Sequence, residues 1–259
     1  MTFEFITYEK KGRVATLTMN RPQVRNALHP PAHHEMATAL DDFAADPDCW
    51  VVILTGAGDK AFSAGNDLKY SAQKTDKPLE IPPSGFGGIH RRFDLFKPVI
   101  AAVNGLALGG GFEIALACDI VIAAEEAIFG LPEPRVGLAA LAGGMQRLPR
   151  LVPEKIALGM MLTGKPITAR RAYDLGLVNE VASAAELMNT AERWAAEICE
   201  CSPISVRASK QVALQSAGMP LKEALERKYP LVSELVRSED MREGIMAFAE
   251  KRKPQWKGR

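Results

Sequence analysis

Four cysteines in 259 residues are too few and too scattered to staple this chain. Cys49, Cys118, Cys199 and Cys201 make no C-x-x-C pair, and Cys118 lies in an apolar run. Buried free thiols in a reducing compartment are therefore expected. No stretch reaches eighteen unbroken apolar residues, which argues against a membrane-spanning helix. Charge of one sign is missing too: 32 Lys and Arg stand against 31 Asp and Glu, a formal net charge of +1. That balance offers no global attraction to nucleic acid or an anionic membrane, so any polyanionic ligand must be met by a local patch. The N-terminal stretch MTFEFITYEKKGRVATLTMN lacks a basic region followed by an apolar block, and it alternates as a strand pair does, not as a signal peptide. A cytoplasmic location is the default expectation. Internal repeats and low-complexity tracts are absent as well.

What is present suits a substantial core, with 47% of residues hydrophobic. Residues 3–9 and 12–19 read as strands flanking a turn at Lys11-Gly12. A helix fits HHEMATALDDFAAD, closing near Pro47. WVVILTGAG, KPVIAAVNG and CDIVIAA are apolar runs of strand length, the kind buried on both faces of a sheet. Each is followed by small or glycine residues and then by helical periodicity, which predicts an α/β core. Residues 74–86, KTDKPLEIPPSGF, read as a surface loop. From Ala142 the pattern is nearly all helical, with LMNTAERWAAEICE and LKEALERKYPLVSELVRSE the clearest amphipathic runs. The change near residue 200 divides a core, 1–200, from a helical C-terminal region, 201–259.

Three elements could carry chemistry. NGLALGGGFEIALACD runs glycines into a helix that is apolar on every side except at Glu113. Such a turn leaves backbone N–H groups unpaired. GGG fits neither G-x-x-x-x-G-K-[ST] nor G-x-G-x-x-G, and a tight turn without a ligand explains it equally well. Glu113 either complements the helix N-terminus or is a dry carboxylate of raised pKa suited to general acid–base work. In GLPEPRVG, Glu133 lies between two prolines that restrict it toward extended backbone, as a stiffly held acid or an ordinary turn glutamate. AFSAGNDL is a second small-residue turn exposing amides, with Asn66 or Asp67 able to cap the next helix. Amides for an oxyanion and carboxylates for protons form a coherent set, and no G-x-S-x-G competes. His29 and His33 bracket Pro30-Pro31, which spoils an i,i+4 metal face and leaves surface or capping roles.

NRPQVRNAL, TGAGDKAFSAGNDL, KPVIAAVNGLALGGGFEIALACD, FGLPEPRVGL and GIMAFAEKRKPQWKGR, in this order and spacing, resemble the crotonase family over essentially the whole chain. The resemblance implies a spiral of ββα units with a helical C-terminal oligomerisation region, assembled as a homotrimer or hexamer. It implies an enoyl-CoA hydratase that takes an acyl-CoA thioester, with coenzyme A as part of the substrate and no separate cofactor or metal. Glu113 and Glu133 match the two catalytic glutamates, and the N–H groups of Ala64 and Gly110 the oxyanion hole. There glycine would spare the thioester a clash with a Cβ. Val24, Arg25 and Ala27 fall where the family contacts the CoA nucleotide. Phe248 and Lys251 match C-terminal positions that reach CoA, often that of a neighbouring subunit.

Within the family, SGFGGIHRRFDLFKPVIAAVNG and the C-terminal stretch look most like the carnitinyl-CoA dehydratase branch. That branch carries Pro-Asp where this chain has Ala140-Leu141. Common hydratases have glycine at the Leu141 position, and dienoyl-CoA isomerases an acid. Leu141 thus predicts a small or plainly apolar acyl pocket, without a partner for a quaternary ammonium. The alternatives are carnitinyl-CoA dehydratase, a Δ3,Δ2-enoyl-CoA isomerase relying on Glu133, and a non-enzymatic RNA- or partner-binding module using the basic tail KRKPQWKGR.

Overall fold

The computed structural model describes residues 2–73 and 80–259. Residues 74–79, most of the expected loop's first half, lie outside the described residues. The chain opens with an antiparallel hairpin, β1 (Ile6–Lys11) and β2 (Val14–Met19). Its turn uses Gly12 at φ +60°, where a side chain would be strained. Next come α1 (Pro30–Ala45), β3 (Val51–Gly56), β4 (Ala61–Ser63), α2 (Leu68–Ala72), β5 (Val99–Val103), β6 (Leu106–Leu108) and α3 (Gly110–Ala117). Then follow β7 (Ile120–Ala124), β8 (Ile128–Gly130), α4 (Gly144–Leu151), α5 (Glu154–Thr163), β9 (Ile167–Thr168), α6 (Ala169–Asp174) and β10 (Glu180–Ala182). The chain closes with α7 (Leu187–Cys199), α8 (Pro203–Ser216), α9 (Leu221–Glu226), α10 (Pro230–Leu235) and α11 (Glu239–Ala249).

The strands sort into two sheets, ordered β1-β2-β3-β5-β7-β10 and β4-β6-β8-β9. Successive long and short strands therefore alternate between sheets: β3 then β4, β5 then β6, β7 then β8. Neighbours within each series are parallel. This alternation is a spiral of ββα turns. The three apolar runs are its long strands, and burial on both faces explains their composition. Ile53, Ile100 and Ile122 face α7, where Leu187, Ala191 and Ala195 cover them. Val52, Leu54, Val99 and Ala101 point the other way into the main core. Each such aliphatic side chain contributes about 1.5–3 kcal/mol on burial.

Local reading and structure part in four places. Helix α1 begins at Pro30, with Pro30 and Pro31 in its first turn, where the N–H they lack has no intrahelical acceptor. The run 221–239 breaks into α9 and α10, because Pro230 cannot continue a helix and restricts Tyr229 to β geometry (φ −110°, ψ 122°). Two short strands, β9 and β10, interrupt the largely helical second half by pairing with β8 and β7. Of the four free thiols only Cys49 is fully buried, and Cys201 is exposed.

The basic tail does not stand free in solvent either. Asp240, 1% exposed, accepts from Ser202 Oγ at 3.0 Å and from the N–H groups of Lys257 and Gly258 at 2.7 and 3.1 Å. Arg252 pairs with Glu243, and both Lys257 and Arg259 with Glu239. Asp240→Ala strands these donors, so a loss of about 3 kcal/mol is expected, read as a lower Tm with early proteolytic clipping of the tail. An unchanged Tm would show that the tail is held elsewhere.

Candidate active site

Where β4 and β6 end, two turns come together. A Cβ at Gly111 would lie 2.1 Å from Ser63 O, and one at Gly65 would lie 2.8 Å from Gly110 N. Only glycine permits that approach. Gly109, at φ +55°, turns the chain from β6 into α3. The N–H of Gly110, the first helical residue, has no intrahelical acceptor and opens into a cleft of about 690 Å³. The cleft wall is chiefly apolar, with Phe86, Leu138 and Leu141 among its side chains.

Glu113 sits in the first turn of α3 and is 3% exposed. Its Oε1 accepts the Gly144 N–H at 2.8 Å, from the start of α4. Burial lifts its pKa to about 7, partly opposed by that hydrogen bond and raised further by Glu133. Glu133 opens a 3-10 turn, Glu133–Val136. This corrects the extended geometry expected there: Pro134 sits at the start of the turn, where its missing N–H is not used. The Glu133 carboxyl lies against Gly109, since a Cβ there would be 3.1 Å from its Oε1. Its Oε2 is buried without a protein partner, and burial raises its pKa too. The structure thus brings both glutamates to one cleft, where their charges interact.

The turn amides differ from expectation. The Ala64 N–H is not free, because it donates to Arg25 O at 2.9 Å. Two residues on, Asn66 lines the same cleft. Across the parallel Leu28–Asn66 bridge, Leu28 N–H donates to Gly65 O at 2.7 Å and Leu28 O accepts from Asp67 N–H at 2.8 Å, and the Asn66 N–H has no partner among the described residues. Asp67 is the cap: Oδ1 accepts from Tyr70 N and Oδ2 pairs with Arg21 at 3.0 Å. Asn66 belonged to the same small-residue stretch, and it is left over because Arg25 O takes the Ala64 N–H and Ser63 Oγ takes the Gly65 N–H at 3.1 Å. At Gly110 the reason for glycine also changes: a Cβ would meet the Phe86 ring at 2.4 Å, so the clash is with the cleft wall.

Val24 and Arg25 lie on a turn beside the cleft, Arg25 exposed at φ +55°, while Ala27 is buried with its carbonyl bonded to Arg21 at 2.5 Å. Phe248, 88% exposed, and Lys251 lie at the end of α11, outside the cleft. Leu141 lines it and is 75% exposed. His29 takes the N-cap position of α1 without making a side-chain cap, and both His29 and His33 are buried, not superficial. His33 Nδ1 accepts the Gly87 N–H at 3.0 Å. Among the described residues no three His, Cys, Asp or Glu side chains gather as a metal site. Phe86, His90 and Arg91 also line the cleft, and nothing in their local sequence marked them.

A ββα spiral holding two dry carboxylates beside open turn amides defines a crotonase-fold enzyme. The enoyl-CoA hydratase/isomerase family model matches residues 9–259, and the chain belongs to that family. It is 41% identical to carnitinyl-CoA dehydratases of Escherichia coli and Salmonella paratyphi A, covering 99% of each chain. Its structure superposes on an enoyl-CoA hydratase from Mycobacterium tuberculosis with a TM-score of 0.92 at 36% identity, covering 98% of this chain and 99% of that one. No helix among the described residues is long and apolar enough to cross a membrane.

Because burial raises the Glu113 pKa above 4.5, ionising it costs stability that is absent below that pH and complete above about 7. Glu113→Gln removes the cost. The variant should gain on the wild type between pH 5 and 8 by on the order of 3 kcal/mol in paired urea titrations. A pH-independent difference would contradict a desolvated carboxylate.

Proposed function

We propose that the protein is an enoyl-CoA hydratase, or in reverse a 3-hydroxyacyl-CoA dehydratase, adding water across the 2,3 double bond of a 2-enoyl-CoA thioester. The observation that carries this reading is the pairing of desolvated Glu113 and Glu133 beside the open amides of Asn66 and Gly110. In this reading those two N–H groups hold the thioester oxygen as it takes up enolate charge, with Asn66 in place of Ala64. Each donor is worth about 2.7–4 kcal/mol in such a transition state. A water rests between the carboxylates. Ionised Glu113 removes its proton as its oxygen bonds to Cβ, the electron pair of the double bond moves to the enolate, and Glu133 delivers a proton to Cα. The two acids titrate as a coupled pair.

An isomerase would rely on Glu133 alone. The fixing of Glu113 by Gly144 N–H favours hydration. A quaternary ammonium finds no counter-ion, since the acids lining the cleft among the described residues are Glu113 and Glu133. That observation separates this chain from the substrate that its 41%-identical relatives are named for.

The nucleotide of CoA is assigned to the Val24–Ala27 turn, whose Arg25 carbonyl is bonded to Ala64 beside the cleft. Phe248 and Lys251 are assigned to the CoA of a neighbouring subunit, because in their own chain they do not line the cleft. Exposed Leu221, Leu225, Ile245 and Phe248 on α9 and α11 support a homotrimer or hexamer built by residues 201–259 on the 1–200 core. The pairing of Arg252, Lys257 and Arg259 within the chain reduces the support for a nucleic-acid role. The free thiols fit a cytoplasmic location.

Incubation with crotonyl-CoA, followed by loss of the enoyl-thioester absorbance, tests the activity directly. Glu113→Gln and Glu133→Gln should each lower kcat by at least about 10²-fold. Unchanged turnover in either variant would sink the paired-carboxylate mechanism. For the wild type, kcat/KM for hydration should rise with pH through about 7 as the Glu113 base ionises. A flat profile over pH 5–8 would remove Glu113 from that role.

A further inference from the structure

Two side chains in the cleft have no part in adding water. His90 is 7% exposed, and its Nδ1 accepts the N–H of Phe86. A ring nitrogen that accepts carries no proton, so the neutral imidazole bears its hydrogen on Nε2. Burial, with Arg91 and Arg147 nearby, keeps the ring neutral by lowering its pKa to about 4. The Nε2–H has no protein acceptor among the described residues, and His90 lines the cleft.

Arg91 lines the cleft beside it and has no carboxylate partner among the described residues. Its neighbour Arg92 differs, being spent on Asp41 and on Gly88 O. The backbone holds both donors in place: Arg91 N–H donates to Ser84 O at 3.0 Å, and Arg147 Nη2 to His90 O at 2.7 Å. Arg135 adds a second cation to the lining, its Nε bonded to Thr163 O at 3.0 Å. Apart from the two catalytic acids, the described lining therefore holds cations and an N–H donor, and no anion.

Resting on the hydratase reading above, the geometry points to a substrate whose acyl chain ends in a carboxylate, paired by Arg91 and hydrogen-bonded by His90 Nε2–H. A guanidinium and a neutral N–H donor together suit the two oxygens of a carboxylate and leave a trimethylammonium group unpaired. This replaces the plainly apolar acyl group that Leu141 alone implies. Leu141 takes the flank of the chain, and Arg91 with His90 takes its end.

Saturated thioesters cannot be hydrated, so their binding tests the acyl site apart from catalysis. Calorimetric titration of the wild type with glutaryl-CoA, pentanoyl-CoA and 4-(trimethylammonio)butyryl-CoA should give that order of affinity. Glutaryl-CoA is expected to bind about tenfold more tightly than pentanoyl-CoA. Arg91→Gln should erase the preference for the anion, and Arg91→Glu should invert the order of the anionic and cationic thioesters. A merely structural role for Arg91 would lower all three affinities together. Equal binding of glutaryl-CoA and pentanoyl-CoA by the wild type, or an anion preference that survives Arg91→Glu, overturns the proposal. If the wild type also hydrates crotonyl-CoA, that failure leaves the hydratase reading standing. If no thioester binds and crotonyl-CoA is untouched, the hydratase reading falls and this proposal with it.

Discussion

The close approach of the β4 and β6 ends governs the site, because the ββα spiral stacks one strand-to-helix turn directly on another. A single added methyl at residue 111 would sit 2.1 Å from Ser63 O, so the two turns touch backbone to backbone. Two consequences follow from that contact. Amides that would otherwise pair or be hydrated are left facing one cleft, and side chains beginning at those turns are carried inward with little water beside them. Glu113, one helical turn past Gly110, is buried because its helix is packed on every side. Its chemistry is thus a by-product of how tightly the two sheets are wound.

Burying that carboxylate creates an electrostatic debt that the surroundings relieve only in part. The Gly144 N–H and the field of Arg147 favour the ionised form, while desolvation and Glu133 oppose it. The balance leaves the group able to change protonation near neutrality, which a fully compensated carboxylate could not do. Arg147 has a second tie, through its bond to His90 O. The segment bearing Phe86, His90 and Arg91 is thereby fastened to the helix that supports Glu113. Wall and acid are thus both tied to Arg147, so the shape of the cleft and the electrostatics of Glu113 share one anchor.

Long-period features were legible in the sequence, and contact-determined ones were not. The buried strands β3, β5 and β7 showed as apolar runs because a sheet covered on both faces demands them. Their partners β4, β6 and β8 have three residues each, too short for any periodicity to show. Both glutamates could be picked out, one as a lone charge in an apolar helix and one between prolines. The amide proposed for the oxyanion could not, since Ala64, Gly65 and Asn66 are equally small-residue turn positions. The choice among them is made by Arg25 O, which takes the Ala64 N–H, and by Ser63 Oγ, which takes that of Gly65. Pro230 shows the reverse case: the amphipathic pattern over 221–239 is continuous, but a local steric rule overrides it.

The acyl group is hardest to read from overall similarity, and the structure gives a reason. An identity of 41% over nearly the full length is one average over scaffold and cleft lining together. In the proposed binding mode the charge of the acyl end is met instead by Arg91, at an exposed position on an otherwise tightly held segment. Phe86 must be flat to fit over Gly110, but Arg91 meets no packing demand and is exposed at the rim. Such a position can change sign without disturbing the core. The proposed pairing of Arg91 and His90 with an anionic acyl end would therefore be a selectivity that similarity to relatives named for carnitinyl-CoA does not convey.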